Sequence, residues 1–185
     1  MATRADITPE FIKSILDYDP ETGIFIWRKR TPDMFNDGAQ TKEHSCARWN
    51  ARYAGKISSN VSTTGHILLN IYKIKFGAHV VAWAYMTGNW PSLFVDHIDG
   101  NPANNSFSNL RLATDSQNKA NCKVRKHSKV GLKGVSIYNK SNKFRVAISI
   151  RGKRKELGIF DCPAAASFAY QIAADIHFGE FARAF

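Results

Sequence analysis

Asp96 and His97 stand side by side at the start of a polar stretch that runs to Asn118. A carboxylate and an amide oxygen are hard ligands, which suit Mg²⁺ or Mn²⁺ better than Zn²⁺. A histidine beside such a cation can take a proton from water near neutral pH. Together these residue types could support metal-assisted hydrolysis of a phosphodiester.

The elements around these residues are predicted to be strand, loop, strand and helix. Asp96 and His97 lie on the first predicted strand and Asn109 at the second. Residues 114–117 form a capping box that begins the helix carrying Asn118. This order can bring four polar side chains to one point. The simpler alternative is an ordinary hairpin, because asparagine-rich loops are common turn chemistry.

The stretch resembles the HNH endonucleases, in the branch that includes phage and intron-borne homing nucleases. The matching segments are DHIDGN from Asp96, NN from Asn104, SNLR from Ser108 and QN from Gln117. The resemblance implies that Asp96 and Asn118 hold one divalent cation, and that His97 is the general base. It implies that Asn109 either orients the histidine or braces the loop. Some members have a histidine ligand where this chain has Asn118, so we expect modest metal affinity.

Composition and charge restrict the partners. The 185 residues suffice for one domain or two small ones, and 26 Lys and Arg against 15 Asp and Glu give a net charge of +11. A positive electrostatic field of this kind favours binding to a polyanion, and double-stranded DNA is the first candidate. No basic amphipathic helix or long apolar run indicates a membrane partner. Three widely spaced cysteines predict reduced thiols and a cytoplasmic location, in the bacterial host if the chain is phage-encoded.

Residues before the motif are predicted to form its supporting elements. The predicted elements are a helix from Thr8-Pro9, a strand at 24–27, an irregular loop over 31–56, one strand from Gly65 to Lys75 and a helix from His79 to Met86. His79 lies among apolar residues and is interpreted either as a structural histidine or as one that supports the catalytic residues. We expect the loop to pack Trp49 onto the core.

The region from Lys119 to Lys155 is rich in Lys and Arg and contains no Asp or Glu. Its first part is predicted to be a helix end and a basic linker that follows phosphates. The predicted contacts there are Lys119, Lys123, Arg125, Lys126 and Lys129. The alternative is a solvated charged face, which is the commoner meaning of such a run.

Residues 134–160 alternate in hydropathy and predict a three-stranded antiparallel sheet, and Pro163 begins a covering helix that Gly179 ends. One predicted face is apolar: Val135, Ile137, Phe144, Val146, Ile148, Leu157 and Phe160. The other carries Ser136, Tyr138, Arg145, Ala147, Ser149 and Arg151. A basic sheet face of this size fits the DNA major groove.

This part resembles the ethylene-response-factor type of DNA-binding domain, which also occurs fused behind HNH nucleases. The matching segments are KGV from Lys133, LGIFD from Leu157, AAA from Ala164 with Tyr170, and residues 179–185. By position, the resemblance implies DNA contacts at Lys133, Ser136, Tyr138, Lys140, Ser149 and Arg154. Two family tryptophans are replaced by Lys140 and Glu156. The resemblance therefore implies the fold of the family but not its pattern of contacts to DNA bases. Arg145 and Arg151 are predicted from face and charge alone.

The predicted fold class is α+β, with a ββα-metal nuclease core followed by a small sheet packed on one helix. The predicted domains are a nuclease domain with an N-terminal extension at 1–122, a linker at 123–132 and the DNA-binding domain at 133–185. We expect a metal-dependent DNA endonuclease that uses Mg²⁺ or Mn²⁺ and nicks one strand as a monomer, with homing as one option. The alternatives are a DNA-binding regulatory protein with a vestigial HNH module and, more weakly, an RNA-binding module.

Overall fold

The computed structural model describes residues 6–58, 60–124, 128–138 and 142–183. The chain divides into two compact units between Arg111 and Leu112. The predicted linker at 123–132 therefore lies within the second unit, and the predicted functional domains remain a prediction. Each unit is described by itself below.

Among its described residues, the first unit has three α-helices and most of the short strands. Its helices are α1 (Pro9–Ile15), α2 (Lys42–Tyr53) and α3 (Ala78–Thr87). Its strands are β1 (Leu16–Tyr18), β2 (Phe25–Trp27), β3 (Asn60–Val61), β4 (Ile67–Ile71), β5 (Ile74–Gly77), β6 (Phe94–His97) and β7 (Leu110–Ala113), and the division falls within β7. As predicted, Thr8 caps α1, because its hydroxyl accepts from the N–H of Phe11.

Helix α2 replaces the irregular loop that was predicted over residues 31–56, so that prediction was wrong. The Thr41 hydroxyl caps the helix by accepting from the His44 N–H at 3.3 Å. Of the α2 side chains, Cys46 alone is fully buried, so the segment lacks the apolar periodicity that reveals a helix. Trp49 packs edge-on against Trp27 and lies 3.9 Å below the Arg30 guanidinium.

The single strand predicted from Gly65 to Lys75 is instead a hairpin of β4 and β5. The chain reverses at Tyr72 and Lys73, whose φ angles are +49° and +67°. Both residues are in the left-handed region, which two-residue hairpin turns require and which Asn or Gly usually supplies. Because neither residue type is present, the turn left no sequence signal. Strands β3, β4 and β5 form one antiparallel sheet in that order.

The elements that carry the polar motif agree with prediction. Helix α3 ends at Gly88, which has a φ of +72°, and it buries Ala78, Val81 and Ala84. Strands β6 and β7 pair to form a two-stranded sheet. Their alignment continues past β6, where the Ile98 N–H donates to the Asn109 carbonyl at 2.8 Å.

The second unit packs one helix on a three-stranded antiparallel sheet, and the predicted fold class is confirmed. Its elements are α4 (Asp115–Asn121), β8 (Val135–Tyr138), β9 (Lys143–Ile150), β10 (Lys153–Phe160) and α5 (Pro163–Phe178). The strand order is β10-β9-β8. Val146 and Ile148 meet Ala166, Tyr170 and Ala174 in the core.

One predicted face position in this sheet was wrong. Arg151 does not lie on a strand face, because Arg151 and Gly152 form the turn between β9 and β10. The φ angle of Arg151 there is +48°. Ile137 shares the apolar face with Val135 but is 51% exposed. Ile137 is the second-to-last residue of β8. The β8 residue that belongs to the buried core is Val135.

Candidate active site

Asp96 and His97 are the last two residues of β6, and each is only 6% exposed. Successive side chains of a strand point to opposite faces, so the two groups have different surroundings. The Arg111 Nε donates to the Asp96 Oδ2 at 3.1 Å, and the side chains of this ion pair are 12% and 7% exposed. The carboxylate is therefore a buried charge with a paired cation.

The His97 ring is held by Asn105, whose side-chain oxygen lies 3.1 Å from Nε2. An amide oxygen only accepts, so Nε2 carries the proton and the neutral ring keeps its lone pair on Nδ1. Asn105 is 2% exposed and its amide nitrogen donates to the Ala103 carbonyl at 3.2 Å. The Tyr18 hydroxyl donates to the Asn105 carbonyl at 2.7 Å, and burial raises the pKa of that tyrosine. This arrangement gives His97 the tautomer that a general base needs.

Asn109 holds the loop that follows β6. Its side-chain oxygen accepts from the Asp99 N–H at 3.0 Å, and its nitrogen donates to the Asp99 carboxylate at 3.0 Å and the Asn104 carbonyl at 2.9 Å. Partial burial raises the pKa of Asp99, but hydrogen bonds from Asn101, Asn104 and Asn109 outweigh that effect and the net pKa is lowered. Of the two roles implied for Asn109, these contacts match the loop brace, whereas Asn105 contacts the histidine.

Three histidines meet in the first unit. The His97 ring lies 4.9 Å from the His79 ring and 5.9 Å from the His66 ring, centre to centre, and the other two rings are 5.4 Å apart. One ligating nitrogen from each ring lies within 4.8 Å of the others. Burial, followed by the charge of neighbouring histidines, lowers the pKa of His79 to about 3 and also lowers that of His66. His66 and His79 are therefore mostly neutral near pH 7.

His79 does not behave as a satisfied core histidine. Its Nδ1 is buried and has no hydrogen-bond partner among the described residues. The ring packs over Gly77, where an added Cβ would lie 2.5 Å from Cε1. The other interpretation, that His79 supports the catalytic residues, stays a prediction.

Asn118 lies on α4, in the second unit. The capping box predicted at its start is present: the Thr114 hydroxyl accepts from the Gln117 N–H at 3.3 Å, and the Gln117 side chain accepts from the Thr114 N–H at 2.8 Å. The role of Asn118 as a metal ligand rests on the motif and stays a prediction. Lys119 pairs with Asp115 at 2.6 Å, one turn away on the same helix.

Lys133, a predicted DNA contact, has its ammonium group turned to the end of α4. It donates to the carbonyl of Cys122 at 2.7 Å and to the carbonyl of Ala120. Burial lowers the pKa of Lys133 to about 8. These bonds close the helix terminus, where cations stabilise unpaired carbonyls.

The sheet of the second unit presents five of the predicted DNA contacts on one face: Ser136, Tyr138, Arg145, Ser149 and Arg154. Ser136 is aligned with Arg145, and Ser149 is aligned with Arg154, across neighbouring strands. The Arg145 guanidinium lies 4.7 Å from the Tyr138 ring centre, and its Nη1 is 3.8 Å from a Glu156 carboxylate oxygen. Lys123 and Lys129 are exposed. Arg125, Lys126 and Lys140 lie outside the described residues.

Comparison with known proteins decides the family. Residues 76–120 match the family described as HNH endonuclease. Protein 3.8 of Escherichia phage T7 is 34% identical over 106 residues, which are 57% of this chain and 87% of that protein. The chain belongs to the same family as phage T7 protein 3.8 and contains an HNH endonuclease domain at residues 76–120. An uncharacterized HNH endonuclease of Acanthamoeba polyphaga mimivirus, L560, is 38% identical over 96 residues, or 51% of this chain and 49% of that protein. No solved structure matches significantly.

The HNH match includes most of the site. Asp96, His97, Asn109 and Asn118 all lie within it. An HNH domain implies DNA as the substrate. Over the described part of the chain, no helix has the length and apolar character needed to cross a membrane.

Sequence reasoning missed three residues of this site. Asn105 was quoted only as part of the motif, and the motif offers no sign that it, rather than Asn109, contacts His97. Arg111 stands in the SNLR segment, but no pattern marks it as the partner of Asp96. His66 precedes β4 and lies outside the matched residues. Only the pairing of β4 and β5 brings it near the other histidines, so no local signal could reveal it.

Proposed function

We propose that the chain hydrolyses phosphodiester bonds in DNA with His97 as the general base, and that Asp96 and Asn118 hold one Mg²⁺ or Mn²⁺ ion. The observation that carries the proposal is the 3.1 Å contact between His97 Nε2 and the Asn105 side-chain oxygen. It leaves the His97 lone pair on Nδ1, as proton removal from water requires. Membership of the HNH family supports this role.

The donor chemistry of the proposed ligands fits a hard cation, since carboxylate and amide oxygens are the ligands that Mg²⁺ and Mn²⁺ favour. Such a cation would stabilise the charge that builds up on the phosphate and the leaving oxygen. The Asp96 carboxylate already pairs with Arg111 at 3.1 Å. A cation must compete with that guanidinium, which supports the expectation of modest metal affinity.

The other residues position the base. Asn105 fixes the His97 ring, and the Tyr18 hydroxyl in turn fixes Asn105. Asn109 joins the two ends of the Asp99–Asn104 loop and keeps its turn rigid. Proton transfer is sensitive to small displacements, so each of these supports contributes to rate rather than to DNA affinity.

The second unit is proposed to hold the DNA through the sheet face that carries Ser136, Arg145, Ser149 and Arg154. Arginine and serine side chains can both donate to phosphate oxygens, which position the duplex. One active site per chain attacks one strand, so a monomer should produce nicks. The viral relatives are consistent with a phage role, and homing is one such role that we propose.

Supercoiled plasmid tests the catalytic proposal. Untagged protein with Mg²⁺ should convert it to open circles before any linear product appears. His97→Ala should slow nicking by at least about 100-fold, because it removes the base. His44→Ala is the matched control, since His44 is exposed on α2. Equal nicking rates for wild type and His97→Ala would overturn the proposal.

The second candidate is a DNA-binding regulatory protein whose HNH domain no longer cuts. The observation that favours it is the buried Asp96–Arg111 ion pair, which closes one carboxylate oxygen to a metal. EDTA discriminates between the candidates in one sample. DNA binding should survive EDTA under both, whereas nicking that EDTA abolishes excludes the non-catalytic candidate.

A further inference from the structure

The cluster of His66, His79 and His97 suits a different metal from the one proposed for catalysis. We propose that these three imidazoles form a binding site for a borderline transition metal such as Zn²⁺, and that a metal bound there blocks His97. The blocking part rests on the proposed function, but the binding part stands on the geometry alone.

The spacing of the cluster fits a tetrahedral metal with an open position. One nitrogen from each ring lies within 4.8 Å of the other two. Zn–N bonds of about 2.0–2.1 Å place tetrahedral ligand atoms about 3.4 Å apart. Side-chain rotations can close that difference, because the ring centres are only 4.9–5.9 Å apart. Three histidines with a fourth position open to water or another ligand are a known arrangement for Zn²⁺.

Two of the rings are already oriented by polar partners on their other nitrogen. His66 Nδ1 lies 2.9 Å from the Thr64 hydroxyl, and that hydroxyl lies 2.9 Å from the Ser62 hydroxyl. His97 Nε2 lies 3.1 Å from the Asn105 oxygen. Metal-ligating histidines typically have such a partner, which fixes the ring and directs the opposite nitrogen to the metal. His66 would therefore bind through Nε2 and His97 through Nδ1.

His79 supplies the third ligand from the start of α3. Its ring has a buried Nδ1 with no hydrogen-bond partner among the described residues. Gly77 leaves room for the ring, because any Cβ there would meet it at 2.5 Å.

The two metal sites are separated by ligand type. Imidazole suits Zn²⁺, Ni²⁺ and Co²⁺, whereas Mg²⁺ prefers oxygen ligands and keeps several waters. Mg²⁺ should therefore not occupy the histidine cluster. A transition metal there uses the His97 Nδ1 lone pair, so His97 can no longer take a proton from water. Zn²⁺ should inhibit Mg²⁺-dependent nicking without competing for the oxygen ligands.

The binding arm of the test uses untagged, chelator-stripped full-length protein in a Cys122→Ser/Cys162→Ser background. Both thiols are exposed and would otherwise bind Zn²⁺. Calorimetric titration with Zn²⁺ should show one site, and Co²⁺ should give a tetrahedral visible spectrum. His66→Ala and His79→Ala should each weaken Zn²⁺ binding at least tenfold, and His44→Ala should not. Lack of a site in the parent protein, or equal losses in all three variants, overturns the proposal.

A fourth variant guards against loss of folding. Gly77→Ala keeps all three histidines but displaces the His79 ring, so it should also weaken Zn²⁺ binding. Circular dichroism identifies any variant that is unfolded. An unfolded histidine variant is then replaced by the glutamine substitution at the same position. Full Zn²⁺ affinity in every folded cluster variant contradicts the proposal.

The inhibition arm compares the ratio of nicking rates with and without Zn²⁺. That ratio should fall sharply in the parent protein and much less in His66→Ala. Zn²⁺ binding without any nicking activity would refute the nuclease function and leave the metal site intact. Nicking without specific Zn²⁺ binding would refute the metal site and leave the nuclease function intact. Zn²⁺ binding that leaves the nicking rate unchanged would refute the blocking role.

Discussion

The Asp96–Arg111 ion pair links metal affinity to stability at a single carboxylate. Breaking a buried pair leaves one charge without compensation and costs about 3–5 kcal/mol. We expect Arg111→Met to lower the free energy of unfolding by this amount. Mg²⁺ should restore part of it, because the Asp96 carboxylate no longer has the guanidinium as a partner and binds the cation more strongly. Thermal unfolding with and without Mg²⁺ measures both effects. Asp96→Asn/Arg111→Met is the control, and an equal Mg²⁺ effect in it would refute Asp96 as a ligand.

Asn105 allows the pH dependence of the base to be tested. In Asn105→Asp, a carboxylate beside His97 stabilises the imidazolium, so the ring becomes neutral only at a higher pH. The base works only when neutral, so activity is lost over a higher pH range and the acidic limb of the pH–rate profile moves upward. Asn105→Ala should lower kcat about 10–100-fold without that shift, because it removes only the orientation of the ring. Profiles that coincide for both variants contradict the assignment of His97.

At the scale of single residues, the sequence was informative where chemistry and motif coincide. Asp96 and His97 could be predicted together because they are adjacent. The partners that fix them could not, since Arg111 and Asn105 reach them through the β6–β7 pairing and a folded loop. His66 joins the cluster only through strand pairing, so the site was predicted without its third histidine.

At the scale of elements, the same physics explains both success and failure. The three-stranded sheet and α5 were predicted because period-two patterning, turn residues and a proline start all agree. Helix α2 was missed because its residues are mostly polar and exposed, and propensity alone is a weak signal. The β4–β5 hairpin was missed because Tyr72 and Lys73 adopt a conformation that their residue types disfavour.

The β1–β2 turn is an element that acts on the active-site loop. Gly23 has a φ of +74°, and an added Cβ would lie 2.3 Å from the Asn105 carbonyl carbon. We expect Gly23→Ala to destabilise the protein by more than about 1 kcal/mol and to slow nicking, because the backbone of Asn105 must move. Urea unfolding measures the first effect and plasmid nicking the second. Gly38→Ala has nothing within 4 Å of its Cβ and no positive φ, so it should match wild type.

At the scale of the whole molecule, the net charge of +11 dominates how the protein meets DNA. Each cation that neutralises a phosphate releases counterions, so affinity falls with salt in proportion to the number of contacts. Total charge alone does not identify those contacts. The structure separates two predicted contacts by their surroundings: Arg154 is exposed on the sheet face, whereas the Lys133 ammonium is bonded to helix carbonyls.

This contrast gives a prediction about salt dependence. Arg154→Ala should weaken binding to any duplex and reduce the slope of log affinity against log salt by about one. Lys133→Met should leave that slope unchanged, because the Lys133 ammonium donates to the Cys122 carbonyl at the end of α4. Fluorescence anisotropy in EDTA at several salt concentrations measures the slopes without cleavage, and Arg48→Ala controls for loss of one exposed charge elsewhere. A larger slope change for Lys133→Met than for Arg154→Ala would refute the sheet face as the DNA-binding surface, since the phosphates would then lie at the α4 terminus instead.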